Sequence, residues 1–285
     1  VRLVDTRRDA VFQRIIVPID GSTRSWHAAC VGQLVADQCE ATFEVVTVVA
    51  DARQVQDAHD ELKTGLEELG EGGDRAIATV LLADFDTDDT VGDVIGRHLE
   101  SVPGSMLVMS STGRGRSAAV VGSVVEDVLR STFGPMIVVG PHVPDSYSFA
   151  GDIIVPVDGS EFSETSLPLA AAWGIGFGAT PWIVEVLTEP IPAGLDVYES
   201  SYAHRLATDL HAQSHHDVEF EVLHGRSASR AIVDFADGNG ARLVVMSTHG
   251  RTGLQRLAVG STAADVVHHA TCPVVLHRPP RFTLE

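Results

Sequence analysis

The sequence predicts two tandem α/β domains, each an open, Rossmann-like parallel β-sheet covered by helices on both faces. Three observations carry this prediction. The chain has 285 residues, more than the ~100–200 of a usual domain. A set of motifs recurs at a spacing of 138 or 137 residues. Short β-branched runs alternate with helix-length segments, the pattern of a parallel sheet built from βα units.

The duplication is read directly from the residues. Ile15–Ser22 (IIVPIDGS) returns as Ile153–Ser160 (IIVPVDGS), and Met109–Arg114 (MSSTGR) as Met246–Arg251 (MSTHGR). Val121–Ser123 (VGS) returns as Val259–Ser261, and Gly134–Val139 resembles the run from Cys272 to Leu276. Four matches in one order at nearly one offset define domains of residues 1–145 and 146–285. Between them, Pro141–Ala150 holds two prolines and lacks periodicity, as a connection should.

In the second half the elements follow in order. Ile153–Val157 is a β-branched run suited to a buried parallel strand. Ser163–Gly176 has the length and small apolar residues of a helix. Pro181–Thr188 reads as strand, Ser200–Ser214 as helix, Val218–Leu223 as strand and Ala228–Asp237 as helix. Arg242–Ser247 is strand, Thr262–Ala270 helix and Pro273–His277 the last strand. The first half repeats the order. Sheets of this kind bind ligands beyond the carboxyl ends of their strands, where strand order reverses.

Composition narrows the function. The net charge is −19, and the division at residue 145 leaves 12 basic and 23 acidic residues before it and 8 and 16 after. Both halves are acidic, which argues against a nucleic-acid partner, since duplex affinity rests on clustered cations. No run reaches the ~18–20 apolar residues of a membrane span. Val1–Asp9 carries acids with no apolar stretch after it, unlike a signal peptide. The expectation is a cytoplasmic protein with no membrane partner. Cys30, Cys39 and Cys272 form no C-x-x-C and read as small hydrophobes.

Two loops in each half leave the carboxyl ends of strands. The first holds Asp20-Gly21-Ser22, matched by Asp158-Gly159-Ser160. Its carboxylate suits ribose hydroxyls or an adenine amine, while Asp with Ser also reads as an ordinary helix N-cap. The second runs through Ser247-Thr248-His249-Gly250, nine further residues, and Gly260-Ser261 at the start of the last helix. Glycines let backbone N–H groups approach a polyphosphate, and a helix N-terminus adds partial positive charge. Hydroxyls of Ser247, Ser261 and Thr262 and the cations Arg251 and Arg256 supplement them.

These residues resemble the ATP-binding class of universal stress proteins, whose pattern is Gly-x-x-Gly, nine residues, then Gly-Ser or Gly-Thr. Met246–Leu254, Val259–Ser261 and Cys272–Val274 carry the likeness, with Ser247 at the first glycine position. The resemblance spans nearly the whole chain and implies a fold like that of adenine nucleotide alpha hydrolases. It implies that Asp158, with Pro156 and Val157, contacts ribose or adenine, and that Val186 offers backbone bonds to adenine. Met246, Ser247, Gly250, Arg251, Gly260, Ser261 and Thr262 would hold ribose and phosphates of ATP, with Mg2+. The matching first-half residues are Asp20, Val48, Met109, Ser110, Gly113, Gly122, Ser123 and Val124. The resemblance further implies pairing of the halves through Ile137–Val139 and Val274–Leu276 as an intrachain pseudo-dimer, and association of two chains as a homodimer.

The first half departs from the pattern. Its spacer has eight residues, Thr112 replaces His249 and Val124 replaces Thr262. One missing residue spans up to about 3.3–3.6 Å, enough to part the two glycine segments unless the loop absorbs it. The second site is therefore expected to be the stronger.

Other signals are weaker. Gly113–Ala118 matches G-x-G-x-x-A, but after the fourth strand rather than the first. Lys63 follows Leu62, so no P-loop exists. His204, His211, His215 and His216 lie on a predicted helix without acidic or cysteine partners at ligand spacing. No G-x-S-x-G elbow accompanies Ser247 and His249, and neither loop offers an evident general base. The sequence favours a regulatory, stress-response ATP-binding protein over a nucleotide-free interaction module of the same fold or a slow ATP hydrolase.

Overall fold

The computed structural model describes residues 12–70, 75–84, 89–113, 121–132, 134–188, 196–248 and 259–278. Two compact units emerge, residues 1–132 with 136–139, and 133–135 with 140–285. The first holds β1 (Arg14–Pro18), α1 (Thr23–Cys39), β2 (Thr42–Val49), a 3-10 turn (Ala52–Gln54) and α2 (Val55–Glu68). It continues with β3 (Ala76–Leu82), α3 (Val91–Ser101), β4 (Ser105–Ser110), α4 (Ser123–Ser131) and β5 (Gly134–Val139). Its strand order is β3-β2-β1-β4-β5, with parallel neighbours.

The second unit repeats this with β6 (Ile153–Val157), α5 (Glu161–Glu164), α6 (Leu167–Phe177), β7 (Pro181–Leu187) and α7 (Asp196–Ser214). Then come β8 (Glu219–His224), α8 (Ala228–Gly238), β9 (Leu243–Ser247), α9 (Ser261–His269) and β10 (Val274–Arg278). The order β10-β9-β6-β7-β8, again parallel, is the same topology. In each unit the chain reverses direction across the sheet beside its first strand. The crevice thus opens between the carboxyl ends of β1 and β4, and of β6 and β9.

The central strands are buried on both faces, as their unbroken apolar runs require. Ile15, Ile16, Leu107, Val108, Ile154, Val155, Val244 and Val245 are fully buried. Each such side chain contributes roughly 1.5–3 kcal/mol. One predicted helix is divided. The run expected over Ser163–Gly176 becomes α5 and α6, because Pro168 near the start of α6 has no N–H to bond the turn before it. The connection is also less free than its composition suggests. Phe149 is buried against Trp173 and Phe177, at 5.8 and 5.1 Å between ring centroids, and the Tyr147 hydroxyl donates to the Arg242 carbonyl.

Glu44, on β2, is a buried carboxylate with 1% exposure. It accepts from Arg14 Nη1 at 3.0 Å and Thr79 Oγ1 at 2.5 Å, and pairs with His98 Nε2 at 3.0 Å. Trp182 takes the matching place on β7, opposite Ile154 as Glu44 is opposite Ile16. It packs edge-on to Phe235 at 5.8 Å. One unit thus fills with a polar network the space that the other fills with aromatic rings.

In the second unit, His277 has a buried Nδ1 without a hydrogen-bond partner among the described residues, and burial pushes its pKa below the ordinary imidazole value. The neutral ring is the folded form. Its stabilisation is complete above about pH 6.5 and is lost as pH falls through the depressed folded value. Unfolding midpoints of the second unit are expected to drop on acidification below that point. His277→Phe should flatten the dependence in a denaturant series across pH 7 to 5; an unchanged slope would refute the assignment. Cys272 is buried and Cys30 and Cys39 are half-buried. Burial raises the thiols of Cys39 and Cys272 to about 11 and about 12, so both stay protonated and inert near neutrality. Among the described residues, no helix is long and apolar enough to cross a membrane.

Candidate functional site

The loop after the first strand is built alike in both units. Ser22 caps α1, its hydroxyl accepting from the Ser25 amide at 3.2 Å; Ser160 does the same for Ser163 at 3.2 Å. The aspartate before each serine is not the cap. Asp20 Oδ1 accepts from the Ser22 amide and hydroxyl at 2.9 and 2.6 Å. Asp158 Oδ1 holds Ser160 at 3.0 and 2.6 Å. The two readings of this loop therefore divide between neighbouring residues: serine caps the helix, and serine in turn fixes the carboxylate.

The second oxygen of Asp20 faces Gly113. A methyl group at Gly113 would lie 2.5 Å from Asp20 Oδ2. Glycine is thus required for close approach of two loops, not for an unusual backbone angle.

The glycine before each of α4 and α9 also closes its own loop. The Gly122 amide donates to the Ser111 carbonyl at 2.7 Å. The Gly260 amide donates to the Thr248 carbonyl, also at 2.7 Å. These amides are committed within the loop. The groups left to face a ligand are the next ones: glycine N-caps provide no capping side chain for α4 or α9, so the first-turn amides carry the helix's partial positive charge outward. The same clasp closes spacers of eight and nine residues. The shorter spacer therefore does not separate the two segments in the first unit.

In that unit Asp20, Val48, Met109, Ser110, Gly113, Gly122, Ser123 and Val124 all line one cleft of about 850 Å³. This volume lies within the ~300–1,000 Å³ of small-molecule sites. Residues without a motif signal line it too: Trp26 from α1, Gln54 from the 3-10 turn, and Asp57 and Glu61 from α2. Trp26 is seated over Gly65, where a methyl group would lie 2.0 Å from the indole. Asp20, Asp57 and Glu61 make the wall acidic. A cation reaches it from outside, as Arg24 Nη1 donates to Thr112 Oγ1 at 2.6 Å.

In the second unit, Pro156 and Val157 are buried at the end of β6, and Met246 and Ser247 at the end of β9. Val186 is half-buried on β7. Gly260 caps α9, which opens with Ser261 and Thr262. His249, Gly250, Arg251 and Arg256 lie outside the described residues. Tyr202, on α7, carries no motif signal. Its hydroxyl donates to Glu164 Oε1 at 2.9 Å. Burial and that carboxylate push its pKa up. Of the four histidines expected on one helix, His204 and His211 lie on α7, which ends at Ser214, and His215 and His216 follow it; His211 Nδ1 pairs with the His216 carbonyl and His216 Nε2 with the Ala179 carbonyl, each at 2.8 Å.

The sequence model of the universal stress protein family matches residues 12–140 and again 151–278. The chain belongs to the universal stress protein family. Universal stress protein Rv2005c of Mycobacterium tuberculosis is 28% identical over 295 aligned residues, covering 93% of this chain and 96% of that relative. A universal stress protein from Archaeoglobus fulgidus DSM 4304 has the same two-domain fold, with a TM-score of 0.65 at 17% identity over 94% of this chain and 99% of that one. A universal stress protein from Archaeoglobus fulgidus solved in complex with dAMP is 24% identical, with a TM-score of 0.37 over 46% of this chain and 100% of that one.

Proposed function

We propose that this universal stress protein binds ATP, with Mg2+, in the cleft of the first unit and in the matching loops of the second. Bound nucleotide would set the conformation or assembly of a stress-response regulator. The observation that carries the reading is the convergence, in one cleft, of the fixed carboxylate of Asp20, the Ser110–Gly113 loop and the uncapped start of α4. A carboxylate suits ribose hydroxyls or the adenine amine. Helix-start amides suit phosphate oxygens. Asp20, with Val48 on the strand beside it, would hold the nucleoside, and Ser110, Ser123 and the amides after Gly122 the phosphates. In the second unit Asp158, Val186, Ser247, Gly250, Arg251, Ser261 and Thr262 would take these parts. Mg2+ would offset the meeting of a polyphosphate with an acidic wall.

The tandem repeat fits an intrachain pseudo-dimer, and association of two chains is part of the same proposal. Nucleotide can shift such a state only by binding one form more tightly than another.

The test combines native mass spectrometry of freshly purified chain with nucleotide titration. Retained adenine nucleotide is expected, and added ATP with magnesium should change the emission of Trp26, which lines the cleft. Failure to bind at millimolar ATP with magnesium, by both methods, would overturn the proposal.

A further inference from the structure

We infer that Arg24 is a phosphate clamp by which the first unit distinguishes nucleoside triphosphates from monophosphates. The inference rests on the nucleotide reading above and adds a residue outside the motif.

Arg24 is the second residue of α1, and that first turn contains no acidic residue. A cation there opposes the helix dipole, which favours anions at the N-terminus. The second unit obeys the usual preference, with Glu161 and Glu164 in the first turn of α5. Arg24 thus breaks a local rule in one copy only, and such violations gather at functional positions.

Arg24 is exposed, yet its Nη1 is tied across 88 residues of sequence to Thr112 Oγ1 at 2.6 Å. Thr112 lines the cleft beside Gly113, which abuts Asp20. This bond uses one of the five guanidinium N–H groups; the planar fork keeps others for a phosphate, which it matches bidentately. Among the described residues, none of the side chains lining the cleft is itself cationic. Arg24 therefore brings charge to a wall made of Asp20, Asp57 and Glu61.

The two copies differ at both positions. Arg24 aligns with Phe162 and Thr112 with His249. At these two aligned positions the first copy has a guanidinium and a hydroxyl, and the second a phenyl ring and an imidazole.

The test measures AMP, ADP and ATP affinities of the full chain through Trp26 emission. A Trp26→Phe chain gives the background of Trp173 and Trp182. Arg24→Met keeps the length of the side chain and removes the charge. It is expected to weaken ATP about tenfold, the effect of losing a charge-assisted contact, while AMP stays within about twofold. Thr112→Val should give a smaller loss in the same direction, and Arg24→Lys should recover part of the ATP preference. Equal losses for AMP and ATP, or no loss for either, would overturn the clamp and leave nucleotide binding intact. A wild-type chain that binds none of the three would overturn the nucleotide reading itself.

Discussion

Arg14→Met is expected to destabilise the first unit by about 3–5 kcal/mol. The side chain it removes is 30% exposed, whereas its partner Glu44 is 1% exposed. Removing the carboxylate would free a cation that can turn towards water. Removing the cation instead leaves a carboxylate inside the sheet with only Thr79 and His98 beside it, and an uncompensated buried charge is the costly outcome. Adding Glu44→Leu should recover much of the loss, because a well-packed apolar replacement of a buried pair is often neutral. The second unit already carries Trp182 at the matching place. Denaturant unfolding followed by hydrogen exchange in β1 and β2 would read the first unit separately. A loss below about 1 kcal/mol for the single variant, against the larger cost of a broken buried pair, would show that water or His98 satisfies the carboxylate.

Gly113→Ala is expected to weaken nucleotide binding at the first site about tenfold, or roughly 1.4 kcal/mol. The added methyl would lie 2.5 Å from Asp20 Oδ2, so one of the two must move. Asp20 cannot simply swing away, since Ser22 holds its other oxygen by amide and hydroxyl. Either the carboxylate leaves its position or the loop after β4 retreats; both spoil the convergence on which the proposed binding rests. Nucleotide titration read by Trp26 emission tests this, with thermal unfolding as the control for stability. Unchanged affinity with unchanged stability would remove Asp20 and Gly113 from the site.

The architecture was legible because two signals agreed: repeated motifs and β-branched runs of strand length. The candidate loops were legible because Asp20, Gly113 and Gly122, with their counterparts, form a pattern of residues and spacing. The misreadings each have a physical source. Helical composition over Ser163–Gly176 outweighed Pro168, whose missing N–H divides the segment. The one-residue difference between the spacers is absorbed because the chain ties the two ends of each loop together. Glu44 and Tyr202 gave no signal because their roles depend on partners distant in sequence: Arg14 and His98 for one, Glu164 for the other. Arg24 escaped notice for the same reason. Only the fold brings Thr112 to it.

The bond between the Gly122 amide and the Ser111 carbonyl, repeated by Gly260 and Thr248, has an evolutionary corollary. A stretch whose ends are pinned to each other behaves as a cassette. It can gain or lose residues, or be grafted from one copy to the other, while the flanking strand and helix keep their places. After duplication, each copy was free to vary its insert under separate selection, so one chain could acquire two recognition surfaces on one unchanging frame.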